Sequence, residues 1–277
     1  MKYLRPFDPW NSKLCTCGKK YSFNPYTGCS HHCLYCYATY IPNFFKVRLK
    51  KNLLRELEKD LEKLPNKSVV SMSNSSDPYP HVERKLEITR NCLKIFKEYD
   101  IPLLIVTKSD IITRDIDLLL ELNCTVSMSI TGCDCLELNA PSTNARIDAF
   151  KKIKEAGIPT VLRFDPIVPG LNDNKLWIIE TCDPDHVVTS TLKLKRDALN
   201  RILKFKPKIG LSLLRLYQSG ERKGSYYYLP RDVRLNLLNK VTKLCNQLGI
   251  TCGYCREGIS FEAPSCDGQH LIRKENF

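Results

Sequence analysis

Short apolar runs alternate with longer amphipathic stretches along most of this chain. Ser68–Ser73, Leu103–Thr107, Thr125–Ile130, Thr160–Phe164 and His186–Thr191 read as strands. Leu49–Leu64, Thr89–Tyr99, Asp115–Leu122 and Thr143–Ala156 carry apolar residues at helical spacing, and Gly157 stands where a C-cap is expected. Leu211–Tyr217 reads as a further strand. Strands of five or six residues separated by helices predict parallel βαβ units. Five or six such units make an α/β fold built as an open, partial barrel. No internal repeat or low-complexity segment interrupts the pattern. In parallel α/β folds, sites gather at the carboxyl ends of the strands.

The chain has 277 residues, 43% hydrophobic and 26% charged, which suits one large globular domain or slightly more. No apolar run reaches the roughly 20 residues of a membrane helix. The opening Met1-Lys2-Tyr3-Leu4-Arg5-Pro6 has no signal-peptide apolar core, so a cytoplasmic location without membrane attachment is expected. The formal charge of +13 favours a polyanionic partner such as nucleic acid. The excess is diffuse, in Lys46–Lys51, Lys151–Lys154, Lys193–Arg196 and Lys204–Lys208, so solvated lysine-rich faces account for it equally well.

Cys29, Cys33 and Cys36 are spaced C-x3-C-x2-C, with no fourth cysteine close behind. Three thiolates on one loop hold three irons of a four-iron cluster and leave the remaining iron open. Open metal positions point to reactivity, closed ones to bracing. Zinc fits less well, because the neighbouring His31 and His32 diverge. The loop resembles the signature of the radical S-adenosylmethionine (SAM) superfamily, C-x3-C-x-aromatic-C, with Tyr35 in the aromatic position. Asn24-Pro-Tyr-Thr-Gly-Cys29, Ser76-Asp-Pro-Tyr-Pro with Glu83, Thr107-Lys-Ser, Arg114-Asp-Ile-Asp and Pro166-Ile-Val-Pro-Gly-Leu-Asn-Asp resemble its spore photoproduct lyase-like, DNA repair photolyase-like branch.

That resemblance implies a partial (β/α)6 barrel, a [4Fe–4S] cluster on Cys29, Cys33 and Cys36, and SAM on the open iron. The implied enzyme takes one electron from a reductant and cleaves SAM to a 5′-deoxyadenosyl radical, which abstracts hydrogen from a substrate. A damaged or modified nucleic acid is the leading expectation for that substrate, and a protein or small molecule the alternative. A non-catalytic, metal-stabilised nucleic-acid-binding protein is the reading from another class.

Tyr35, Ser75, Ser76, Asp77, Lys108, Ser127, Ser129 and Val168 are the implied SAM contacts. The Ser73–Pro78 loop lacks the Gly-Gly-Glu-type motif usual at that place, so backbone carbonyls, Ser76 or Asp77 would receive the ammonium. Lys108 would meet the carboxylate, and Val168 would pack on adenine. Tyr35 and Tyr37 correspond to positions that join a hydrogen-transfer chain in spore photoproduct lyase, but packing beside the cluster explains them too. No cysteine stands in Ser73–Asp77 as a hydrogen donor, which counts against spore photoproduct repair itself.

Residues 15–244 are expected to form the core, and 245–277 a cysteine-rich extension. There, Cys245, Cys252, Cys255 and Cys266 suggest either a second site for zinc or an iron–sulfur cluster, with a tight turn at Gly253, or simply buried thiols. Tyr226-Tyr227-Tyr228 reads as a base-stacking platform or a packed hairpin.

Overall fold

A computed structural model describes residues 1–7 and 12–272; the last five residues of the expected extension, 273–277, lie outside the described residues. The strands are β1 (Arg5–Pro6), β2 (Tyr21–Phe23), β3 (Val70–Met72), β4 (Leu103–Thr107), β5 (Cys124–Ser129), β6 (Thr160–Ile167), β7 (His186–Thr191), β8 (Glu221–Lys223), β9 (Tyr226–Tyr228) and β10 (Thr251–Tyr254). The helices are α1 (Leu53–Leu61), α2 (Glu83–Leu86), α3 (Ile88–Glu98), α4 (Ile116–Leu120), α5 (Thr143–Glu155), α6 (Trp177–Cys182), α7 (Arg196–Phe205), α8 (Pro207–Tyr217) and α9 (Arg231–Gln247).

The main sheet has eight strands in the order β1-β2-β3-β4-β5-β6-β7-β10. β1 is antiparallel to β2, and every later neighbour is parallel. This is the mixed α/β, mostly parallel partial barrel that the alternating pattern predicts. β10 pairs with β7, and α9 runs across the expected division at residue 244. Residues 245–254 therefore belong to the last unit of the sheet. Among the described residues, no helix is long and apolar enough to cross a membrane.

Successive side chains of a strand point to opposite faces. Here that period sorts chemistry. Phe23, Val70, Met72, Leu103, Ile105, Val126, Met128, Leu162, Phe164 and Val187 face the helices and join the hydrophobic core. Their alternates Ser22, Ser71, Leu104, Val106, Ser129, Arg163, Val188 and Ser190 line the inside of the barrel. The core thus lies between sheet and helices, and the barrel interior is a cavity lined by both apolar and polar side chains.

Leu211–Tyr217 corrects one expectation, since it lies in α8 rather than in a strand. Pro207 starts that helix, and Gly210, Leu213 and Tyr217 are its buried residues, a helical spacing. Leu211, Leu214 and Leu216 stay exposed, so the run of apolar residues there exceeds what the fold buries.

Gly253 sets how closely the C-terminal segment packs on the sheet. A Cβ there would lie 2.7 Å from the Cα of Cys266 and 2.9 Å from its carbonyl oxygen. Gly253→Ala should therefore destabilise the fold by about 1–3 kcal/mol through overpacking against backbone that cannot rotate away. Urea denaturation checks this, and an unchanged midpoint would contradict the packing described.

Candidate functional site

One cavity of about 690 Å3 opens at the carboxyl ends of the strands, and all three cysteines of the loop line it. The loop is shaped before it reaches them. Gly28 adopts φ +87°, and a side chain there would strike the backbone oxygens of Phe44 and Lys46. Its N–H donates to Ser76 Oγ (3.0 Å), and Cys29 N–H donates to Phe44 O (2.8 Å). Beyond Cys33, Leu34 N–H donates to Leu136 O (2.8 Å), while Arg201 Nη2 donates to Cys36 O (2.7 Å). His31 turns toward Asp77 (3.4 Å) and His32 stacks on Phe45 (4.0 Å), so the two imidazoles diverge.

The three thiols are free and strongly held in their protonated form. Burial, reinforced by the charge of Asp77, pushes Cys29 up to about 12. Burial raises Cys33 and Cys36 as well, with Glu137 adding to the effect at Cys33.

Glu137 is the central polar node of this region and is buried. Its carboxylate pairs with Arg146 (2.6 Å) and Lys108 (3.7 Å), and accepts hydrogen bonds from Thr131 (3.0 Å) and the Tyr35 hydroxyl. Burial alone would push its carboxyl up, but Arg146, Lys108 and Tyr35 hold it below the usual glutamate range. The same burial and the Glu137 charge push the Tyr35 phenol far above its ordinary value, so the hydroxyl stays a donor. Nothing in the sequence around Glu137 or Arg146 marks them, because their partners come from four separate segments.

Ser75, Ser76, Asp77, Lys108, Ser129, Tyr35 and Tyr37 line the cavity with the cysteines. Ser73, at φ +76°, turns the chain out of β3 into this loop, and its N–H donates to Phe23 O (2.7 Å). Asn24 Oδ1 then receives Ser75 N–H (3.2 Å) and Ser76 N–H (3.3 Å). Asp77 has less to offer a ligand than expected. Its oxygens accept from Thr107 Oγ1 (2.8 Å), Lys108 N–H (2.8 Å) and Tyr79 N–H (2.9 Å), so it positions the ends of β3 and β4. Lys108 Nζ sits above the Tyr35 ring at 5.9 Å. The Tyr37 hydroxyl donates to Asn74 O. Ser127 shares the face of Ser129 on β5 but does not line the cavity.

Val168 is the clearest displacement from expectation. Its side chain belongs to the hydrophobic core and is absent from the cavity wall. The pairing of β6 with β7 is irregular between Phe164 and Ile167, so the alternation resets there. Val168 N–H donates to Asn172 Oδ1 (2.6 Å), and its carbonyl accepts from Leu171 N–H (3.0 Å).

The expected four-cysteine site at the C-terminus does not assemble. Cys252 and Tyr254 face α9, where Cys252 hydrogen-bonds with Cys245. Cys255 lies on the opposite face and lines the cavity with Cys266 and Cys17. Gly253 stands in an extended strand instead of a tight turn, and the period of two sends the two cysteines of C-x2-C apart. Tyr226-Tyr227-Tyr228 forms the second strand of the β8–β9 hairpin, with Tyr226 and Tyr228 buried.

The far wall adds charge. Arg163 pairs with Asp165 (2.9 Å), and Lys193 pairs with Glu257 (2.9 Å). Burial would raise Asp165, but Arg163 and Lys193 hold it below the usual carboxylate range. Six basic side chains (Arg5, Lys20, Lys108, Arg163, Lys193, Arg256) and three acidic ones (Asp77, Asp165, Asp267) line the cavity, and the buried Glu137 and Glu257 balance Lys108 and Lys193 from behind, which leaves a small basic excess that favours an anionic occupant.

Glu137→Gln should cost about 1–3 kcal/mol near neutral pH, because the buried Arg146 then keeps only the half-exposed Asp134 (2.8 Å) as a charged partner. The depressed carboxyl gives Glu137 a stabilising role that is complete above the ordinary value of 4.5 and fades as pH falls through its lower folded value. The gap between wild type and variant should narrow in acid. Urea denaturation across the acid range checks both, and a gap that widens on acidification would refute the assignment.

Residues 23–181 match the Radical SAM superfamily. An uncharacterized protein of Methanocaldococcus jannaschii is 35% identical over 179 residues, 59% of this chain and 66% of the relative. An uncharacterized protein of Mycobacterium tuberculosis is 25% identical over 175 residues, 56% of this chain and 52% of the relative. The chain thus spans half to two thirds of the length of these curated relatives. Among solved structures, spore photoproduct lyase complexed with dinucleoside spore photoproduct superposes with TM-score 0.65 at 19% identity, covering 92% of this chain and 79% of the lyase. Streptococcus suis SuiB bound to precursor peptide SuiA superposes with TM-score 0.56 at 16% identity, covering 84% of this chain and 47% of SuiB. At such identities these likenesses establish the fold, and the sequence match over more than half of the chain establishes the family. With a three-cysteine loop at the mouth of a partial barrel, this chain belongs to the radical SAM superfamily.

Proposed function

We propose that this chain is a radical SAM enzyme whose cavity takes SAM and an anionic substrate, with nucleic acid as the leading class. The observation that carries the reading is the convergence of Cys29, Cys33 and Cys36 with Lys108, Ser75 and Ser129 on one cavity with a basic excess.

The residues fit the [4Fe–4S] cluster that the family implies. The three thiols are free, line one wall, and are buried enough that a metal replacing the proton is their route to thiolate. The loop provides three ligands, the number that leaves one iron for a non-protein ligand. When bound, cluster and SAM supply a one-electron cleavage that yields a 5′-deoxyadenosyl radical.

This chain's own residues prepare the space for that chemistry. Gly28, Ser76 and Arg201 hold the loop, and the Tyr35–Glu137 bond locks its aromatic residue. Lys108 presents a point charge beside the loop, suited to a carboxylate. Ser75, Ser129 and backbone groups of the 73–76 turn supply small polar contacts, whereas Asp77 acts by positioning them. A cavity of about 690 Å3 suits a bound nucleoside cofactor together with part of a substrate. Arg163, Lys193 and Arg256 line the same cavity and offer N–H donors suited to a phosphodiester, with Asp165 and Glu257 balancing the charge of the first two. The relative solved with a dinucleoside supports this substrate class, and the one solved with a precursor peptide supports protein modification as the second reading.

Anaerobic reconstitution with iron, sulfide, a reductant and SAM should yield 5′-deoxyadenosine, and Cys29→Ala should abolish it. Oligonucleotides carrying deuterated, damaged or modified bases should pass deuterium into 5′-deoxyadenosine. Transfer from peptides alone would move the substrate to the second reading. Equal behaviour of Cys29→Ala and wild type would overturn the enzyme assignment.

A further inference from the structure

Away from the Cys29–Cys36 loop, a second group of sulfurs joins the two ends of the chain. Cys17 Sγ lies 3.0 Å from Cys266 Sγ, and the Cys15 thiol also hydrogen-bonds to Cys17. Ligand atoms of Cys17, Cys266 and Asp267 all lie within 4.8 Å of one another, a spacing met by no other His/Cys/Asp/Glu group among the described residues. The surroundings hold these groups in place. Gly253 lets the backbone of Cys266 rest against β10. The Asp267 carboxylate is oriented by Lys20 Nζ and by Gln269 N–H (3.2 Å). Ligating carboxylates are commonly held by such outer contacts.

We propose that Cys17, Cys266 and Asp267 form a preassembled three-ligand site for a thiophilic divalent cation, Zn2+ being the best match, and that Cys15, outside that close group but hydrogen-bonded to Cys17, turns in as the fourth ligand of a tetrahedron. Three sulfurs and one carboxylate oxygen are a ligand set that zinc accepts. The three thiols share hydrogens along one chain of sulfurs, and the ion takes the place of those protons, which leave to solvent. Lys20, paired with Asp267, offsets part of the negative charge of the ligands.

Position gives the site its role. Cys17 lies in the connection between β1 and β2 at one edge of the open sheet, and Cys266 follows β10 at the other. An ion here staples the two edges across the gap of the partial barrel, 249 residues apart in sequence. Its ligands Cys17, Cys266 and Asp267 line the same cavity as the Cys29–Cys36 loop. This is a bracing site, independent of which substrate the enzyme takes.

Reduced full-length protein, stripped of metal under anaerobic conditions, should be alkylated with and without Zn2+ and its cysteines mapped by peptide mass spectrometry. Zn2+ should slow labelling of Cys15, Cys17 and Cys266 at least tenfold and leave the exposed Cys135 unaffected. The Cys17→Ser/Cys266→Ser double variant should lose one tightly bound zinc per chain, and Cys245→Ser/Cys252→Ser none. Zinc should raise the melting temperature of the wild type and not that of the first variant. Unchanged labelling of Cys17 and Cys266 would overturn the site, as would their recovery as a disulfide from protein kept reduced. The labelling uses the wild-type chain, so it decides even if a variant does not fold.

Discussion

A buried carboxylate ties the mouth of this barrel together. Glu137 meets the cysteine loop through Tyr35, the end of β4 through Lys108, the end of β5 through Thr131, and α5 through Arg146. An unpaired charge at that depth is strongly disfavoured, so each partner is held by the others. The loop thereby inherits the rigidity of two strands and a helix, although it has almost no regular structure of its own. Main-chain contacts reinforce this, since Cys33 and Glu137 form an isolated bridge. A short loop that must present three thiols in one arrangement needs such an anchor.

The pleat of the strands does the complementary work. Each strand buries its apolar row under the helices and turns its other row toward the cavity. Hydrophobic burial therefore holds the barrel without filling it, and the interior stays free for polar groups and ligands. Arg163 and Asp165 illustrate this, since both lie on the inner row of β6 and neutralise each other at the cavity wall. Where the pairing of β6 and β7 is irregular, the rows exchange, and Val168 goes to the core.

Much of this site was legible in the chain itself. The spacing of Cys29, Cys33 and Cys36 and the polar residues after each strand are local patterns, and local geometry brings them to one end of a parallel sheet. Ser129 on the cavity wall follows from strand alternation. The same alternation, applied to β10, separates Cys252 from Cys255, but recognising it requires that segment to be read as a strand and not a knuckle. α8 departs from the strand expected there for a related reason, because four leucines in six positions suit either period until packing selects one.

Sequence by itself determined the alternation of β3 to β7 with the helices between them, the three-thiol loop and its place at the strand ends, because those depend on neighbours in the chain. Tertiary structure decided the rest. It assembled Glu137 with Arg146 and Lys108, used Asp77 as a brace, sent Val168 into the core, and drew Cys17 to Cys266 instead of joining Cys252 to Cys255. Those choices depend on which segments meet across the sheet and across its open edge. Contacts between residues more than two hundred positions apart leave no spacing for a sequence to display.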